Sequence, residues 1–276
     1  MNKRRTIADW VYELPRRGHY TFTQEEAFEA FPDMSKDSVR VGLYRQVAKG
    51  QIQSVWHGFF VVMLHEYGLS GNVPPTEYID QLMSYLGRGY YVALLSAASF
   101  HGSSHQAPQV FMVIADGDAL RSKSRSGARI KFFTRKEIPE RYLDTTQSRS
   151  SYIKFSNKEL TALDLVSRMK SVGGLSRAAE VIDGLAEEDL DFKRADADYF
   201  ALSPVVCYQR LGYILESILG YQKLADDVYN GAMGAGLSFN RTALSPTSDK
   251  NMLIEKHMET RWKIIINAEA DLDRDY

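Results

Sequence analysis

One cysteine, Cys207, excludes an internal disulfide framework, and its neighbours Val205, Val206 and Tyr208 suit a buried inert thiol better than a nucleophile. No apolar run is long enough to span a bilayer, and there is no internal repeat or low-complexity tract. Met1 to Arg5 is basic but lacks the apolar stretch of a signal peptide behind it, so a cytoplasmic protein is expected. Net charge is nearly absent too, at −1, but nucleic-acid binding depends on where cations sit and not on their sum.

Charge is in fact unevenly placed. Between Arg121 and Lys158 eleven Lys or Arg face only Glu137, Glu140 and Asp144, a net of +8, which leaves −9 for the rest of the chain. The 276 residues, 44% hydrophobic and 25% charged, describe an ordinary globular chain of one or two domains.

The most informative stretch is Ser35 to Met63. Val39, Leu43 and Val47 fall at i, i+4 and i+8 and give a helix its buried stripe. Ser38 and Arg45 project roughly opposite it, while Lys36, Arg40 and Tyr44 flank it; Lys49 adds a fourth cation and only Asp37 opposes them. Ser35 suits the N-cap and Gly50 the end. Gln51–Trp56 and Phe59–Met63, rich in β-branched and aromatic residues, flank His57-Gly58 as a tight hairpin.

Upstream, Ile7, Trp10, Val11 and Leu14 mark a first helix closed by Pro15 and Gly18. His19–Phe22 reads as a short strand, and Thr23 with Glu26 forms a capping box for a second helix whose Phe28 and Phe31 face the core. Helix, strand, helix, helix, hairpin is the order of a winged helix-turn-helix, with the third helix in a major groove and the hairpin as wing. Arg would pair with guanine edges, and Lys and the His57 wing tip with phosphates. A solvated surface helix is the bland alternative, with Arg45 paired to Glu26 or Glu29. Lys3, Arg4 and Arg5 suit an arm on DNA or a frayed terminus equally.

Gly68–Pro75 breaks every periodicity and sets the expected boundary between a domain over 1–67 and another over 76–276. Beyond it the pattern predicts helices over Ile79–Leu86 and Tyr90–Phe100, and strands over Gln109–Ala115, Arg129–Thr134 and Ser151–Phe155. Helices follow over Asn157–Val166, Leu175–Leu185 and Tyr208–Ile218, and a late strand, Trp262–Ile266, has no identifiable partner. The fold class is α+β: an N-terminal winged helix-turn-helix followed by a larger mixed α/β domain.

The segment KDSVRVGLYRQVAKGQI (Lys36–Ile52), with YYVALLSAASFHG (Tyr90–Gly102), NKELTALDLV (Asn157–Val166) and QRLGYILE (Gln209–Glu216), resembles the AbiEi-type antitoxins of abortive-infection toxin–antitoxin systems. That resemblance implies a non-enzymatic phage-defence antitoxin. Its winged helix would bind inverted repeats upstream of its own operon, and its C-terminal domain would counter a nucleotidyltransferase-type toxin. It places DNA contact on Ser35, Lys36, Ser38, Arg40, Arg45 and Lys49, and implies no catalytic motif, metal or cofactor.

Arg121, Lys123, Arg125, Arg129, Lys131, Arg135 and Lys136 form a second candidate surface, for nucleic acid or an acidic partner; a mobile solvated loop is the alternative. Two other functions compete. Gly102-Ser103 with Asp116 and Asp118 resembles, weakly, the carboxylate pair of a metal-dependent nucleotidyltransferase, although Gly117 makes the pair read as a turn. The second domain of a winged-helix regulator would instead sense a small molecule, without a recognisable fingerprint here. His101 and His105 lack a third ligand at a zinc-like interval, and Arg210 suits an intradomain contact at least as well as a partner.

Overall fold

The computed structural model describes residues 5–103, 108–121, 123–125, 128–149, 151–246 and 257–272. The fold is α+β, and the chain divides into two compact units: 1–92 with 109–138 and 145–155, and 93–108 with 139–144 and 156–276.

The first unit opens with α1 (Ile7–Glu13), β1 (Thr21–Thr23), α2 (Gln24–Ala30), α3 (Lys36–Ala48), β2 (Ile52–Trp56) and β3 (Phe59–Val62). Thr6 with Asp9 and Thr23 with Glu26 form capping boxes, each satisfying two backbone N–H groups that helix geometry leaves unpaired. The three strands form an antiparallel sheet in the order β1-β3-β2. Trp10, Phe22, Phe31, Val39, Leu43, Ile52 and Phe60 make one core, with Trp10 edge-on to Phe22 and Phe31. Phe28 is only partly buried at its margin.

Every residue of β3 is buried, as a four-residue apolar run requires when both faces of its sheet are covered. Phe60 and Val62 face the helices, whereas Phe59 packs against Tyr85 of α4 (Ile79–Tyr85). Trp56 lies edge-on to Phe132, and the Gln53 side chain accepts a hydrogen bond from Val73 N at 3.1 Å.

β4 (Tyr90–Val92), β5 (Val110–Ala115), β6 (Lys123–Arg125), β7 (Ala128–Thr134), β8 (Leu143–Gln147) and β9 (Tyr152–Ser156) form a mixed six-stranded sheet in the order β6-β7-β5-β4-β9-β8. Two expectations change here. The helix expected over Tyr90–Phe100 begins only at α5 (Leu94–Phe100), because Tyr90–Val92 pairs between β5 and β9 and Leu94 turns the backbone at φ 57°. Part of the expected basic loop is strand β6, antiparallel to β7.

The second unit packs α5 with α6 (Lys158–Ser167), α7 (Leu175–Glu187), α8 (Ala197–Phe200), α9 (Val205–Tyr213) and α10 (Gln222–Gly234). α9 runs into a π-helical turn over Ile214–Ile218. The late strand does have partners: β12 (Ile264–Ile265) pairs in parallel with β10 (Thr242–Ala243) and antiparallel with β11 (Met258–Glu259). Two-residue strands carry almost no periodic signal, so the sequence pattern left that strand unpaired.

Candidate nucleic-acid interface

Helix α3 buries Val39, Leu43 and Gln46, with Val47 only partly buried against the core. The buried stripe therefore lies slightly rotated from the expected one, and the Gln46 Oε1 is buried without a hydrogen-bond partner. Gly42 brings α1 close, since a Cβ there would lie 2.2 Å from Ile7 Cδ1. Ser35 caps the helix by accepting from Ser38 N at 3.2 Å, and the two hydroxyls stand 2.8 Å apart.

The cations on this helix are not equivalent. Arg40 pairs with Asp37 at 2.8 Å and lies 5.4 Å over the Phe28 ring. Lys36 Nζ lies at the same distance over the Phe28 ring, so both line the α2 side. Arg45 and Lys49 are exposed, and among the described residues Arg45 makes no ion pair, so the alternative of pairing with Glu26 or Glu29 does not hold. Its outward neighbours include Val41, 49% exposed, and Tyr44, 75% exposed. Val41 points directly away from the buried stripe; helical phase alone could have located it, as an apolar residue on a polar face.

At the hairpin tip His57 is exposed, but its carbonyl accepts from Tyr85 Oη at 3.2 Å. Gly58, at φ 73°, has no room for a Cβ, which would meet that hydroxyl at 2.7 Å. The candidate wing is thus a short hairpin pinned at its tip. Lys3 and Arg4 lie outside the described residues; Arg5 is paired with Glu13 at 2.5 Å.

The second basic surface is partly spent on the sheet itself. Lys131 lies 5.0 Å over the Phe133 ring, and Arg135 donates to Tyr91 Oη at 2.8 Å. Arg121, Arg129 and Lys136 are exposed, while the side chains of Lys123 and Arg125 lie outside the described residues. Arg149, from the loop after β8, reaches Glu66, approaches Glu77 at 3.8 Å and lies over the Tyr20 ring.

Asp116 and Asp118 follow β5 in a bend. The Asp116 carboxylate accepts from Gly89 N at 3.1 Å, its carbonyl accepts from Arg88 Nη1 at 3.2 Å, and Arg88 lies against Gly117, which has φ 69°. Asp116 thereby fastens the start of β4 to the end of β5. Ser103 donates to Ala98 O at 2.9 Å and closes α5. His101 donates from Nε2 to the Ser156 carbonyl at 2.8 Å, and His105 lies outside the described residues.

Residues 91–217 match the family model of the AbiEi antitoxin C-terminal domain. This segment is similar to the AbiEi antitoxin family. That family is one of toxin–antitoxin systems, so the role of this chain is that of an antitoxin. Among solved structures, the RV2827C protein from Mycobacterium tuberculosis is similar over 95% of this chain and 92% of that one, with a TM-score of 0.63 at 12% identity, a likeness of fold alone. An antigenic nucleotidyltransferase-like protein from Paracoccidioides brasiliensis covers 55% of this chain and 89% of its own, with a TM-score of only 0.36 at 10% identity. No match is found among curated proteins.

In the AbiEi segment, QRLGYILE is an anchor for the chain that follows it. Gln209 donates to the carbonyls of Asn240 and Trp262 at 2.7 and 2.6 Å, and Arg210 Nε to that of Ala243 at 3.0 Å. Gly212 leaves space for Trp262, whose ring atoms would lie 2.0–2.4 Å from an added Cβ. Glu216 accepts from Trp262 Nε1 at 2.5 Å and from Arg261 at 2.9 Å. Burial alone would raise the Glu216 pKa, but these hydrogen bonds and the guanidinium outweigh it and hold the carboxyl below its ordinary value. The half-buried Arg210 accordingly has an intradomain role, and Cys207 is buried and free of disulfides.

Asn157 caps α6 by accepting from Leu160 N at 2.9 Å. Beside it Tyr142 Oη donates to Asp196 at 2.8 Å, and Arg141 pairs with the same carboxylate at 2.6 Å. Asn157, Tyr142 and Arg141 line a cavity of about 410 Å³ together with Glu159, Asp191 and Arg194. Burial pushes the Glu159 carboxyl above its ordinary value and the Tyr142 phenol up to about 12.

Proposed function

We propose that this AbiEi-type antitoxin binds operator DNA through residues 1–67, acting as a winged helix-turn-helix, and represses its own operon. Residues 76–276 counter a nucleotidyltransferase-type toxin. The observation that carries the DNA reading is the outward face of α3, which presents Ser38, Arg45 and Lys49 to solvent on a helix held by α1, α2 and the hairpin. In this reading Lys36 and Arg40, stacked on Phe28, contact phosphates along one side of the groove, and His57 contacts the backbone near the wing. The toxin half rests on the family match over 91–217.

The exposed cations Arg121, Arg129 and Lys136 add a sequence-independent attraction for DNA flanks or an acidic partner. Fluorescence anisotropy on DNA from directly upstream of the gene, against scrambled DNA across a salt series, tests this reading. Arg45→Ala should cost about 1–3 kcal/mol on the upstream site and little on scrambled DNA. Lys36→Ala should weaken both alike and reduce the salt slope by about 1. Equal binding to both DNAs by the unaltered protein would remove the repressor half and leave the antitoxin half standing.

A further inference from the structure

Solvent-exposed valine and tyrosine side by side on the face of a cationic helix require an explanation, because neither is used by the core. Val41 and Tyr44 are one helical turn apart on the side of α3 opposite Val39 and Leu43. Arg45 adjoins Val41 on one flank of this ledge. On the other, the Arg40 guanidinium is turned aside onto Asp37 and Phe28, so it does not cover the two apolar side chains.

A major groove offers one apolar group for such a ledge, the 5-methyl of thymine, and apolar side chains read it by contact. Resting on the DNA reading above, we infer that Val41 and Tyr44 are specificity-determining residues that select thymine, beside a guanine read by Arg45. The rise from Val41 to Arg45 is about 6 Å, so the thymine and the guanine lie within about two base steps of each other. Asp37, which would repel phosphates, is neutralised by Arg40 at 2.8 Å, and this holds Arg40 in a supporting place instead of a reading one.

The experiment selects binding sites for the full-length protein from a random-sequence duplex library and then replaces each thymine of the selected site by uracil, which removes only the methyl. One position is expected at which uracil weakens binding about fourfold, the worth of one buried methylene. The Val41→Ala protein, checked for unchanged circular dichroism, is expected to bind the thymine and uracil sites alike at that position. Tyr44→Ala should relax selection at the adjoining base. Uracil tolerated at every position, or a Val41→Ala protein as sensitive to uracil as the unaltered one, overturns the inference while leaving sequence-selective binding intact. A library that yields no enriched sequence overturns the DNA reading itself, and this inference with it.

Discussion

At the scale of single residues, identity alone is a poor guide to role, and neighbours decide it. Arg40 and Arg45 are the same residue type on the same helix, yet one is paired with Asp37 and the other makes no ion pair among the described residues. Pairing with Glu26 or Glu29 was the alternative to DNA contact for Arg45, but the paired cation is Arg40, held by an i,i+3 carboxylate on its own helix. Gly212 is a second case. A Gly→Ala change in a helix usually stabilises by removing backbone freedom. Here the added Cβ would drive into the fully buried Trp262, so Gly212→Ala is expected to destabilise by about 1–3 kcal/mol. Thermal denaturation followed by tryptophan emission would measure it, and an unchanged or raised Tm would show that the C-terminal segment does not rest on that helix.

At the scale of elements, the hairpin differs most from what its pattern suggested. Its alternation and its His57-Gly58 turn were readable as a wing. Burial of all four residues of β3, and the closure of the tip by Tyr85, depend on segments far along the chain. Gly58→Ala forces a side chain onto a backbone at φ 73° and against the Tyr85 hydroxyl. We expect a loss of about 1–2 kcal/mol from the left-handed conformation alone. Hydrogen exchange should show it as faster exchange across β2 and β3 before α3 is affected. Uniform loss of protection throughout the first unit would indicate instead that hairpin and helices open together.

At the scale of the whole molecule, the proposed division of labour and the division into compact units follow different lines. Residues 1–67 share a unit with the six-stranded sheet, through Trp56 on Phe132, Phe59 on Tyr85, and Arg149 on Glu66. DNA contact and antitoxicity are therefore best separated by point substitutions on α3 and not by truncation. Global stability should also respond to pH through His101. Burial holds its pKa below the ordinary imidazole value of about 6.5, against the raising influence of the Ser156 carbonyl. The unfolded chain thus binds the proton more readily, so this contribution is complete above about pH 6.5 and is lost as pH falls through the lower, folded pKa. His101→Gln should flatten the stability profile between pH 7 and 5 in urea titrations. A variant with the same slope as the unaltered protein would remove His101 as the source.

Periodicity and capping chemistry were enough for α1, α2, α3 and the hairpin order, because each of those signals is local: apolar spacing, Thr23 with Glu26, Ser35, and Gly58 at a tight turn. They also pointed to Arg45 and Lys49 as outward cations, and the family resemblance was carried by short segments that survive without any fold in view. Tertiary structure alone decided that Tyr90–Val92 is a strand, since its aromatic and β-branched residues suit either pattern until β5 and β9 flank them. It decided equally that Gln46 is buried and that Trp262 has a glycine to receive it. Local pattern specifies which way a side chain points; what it meets there depends on residues brought together from distant parts of the chain.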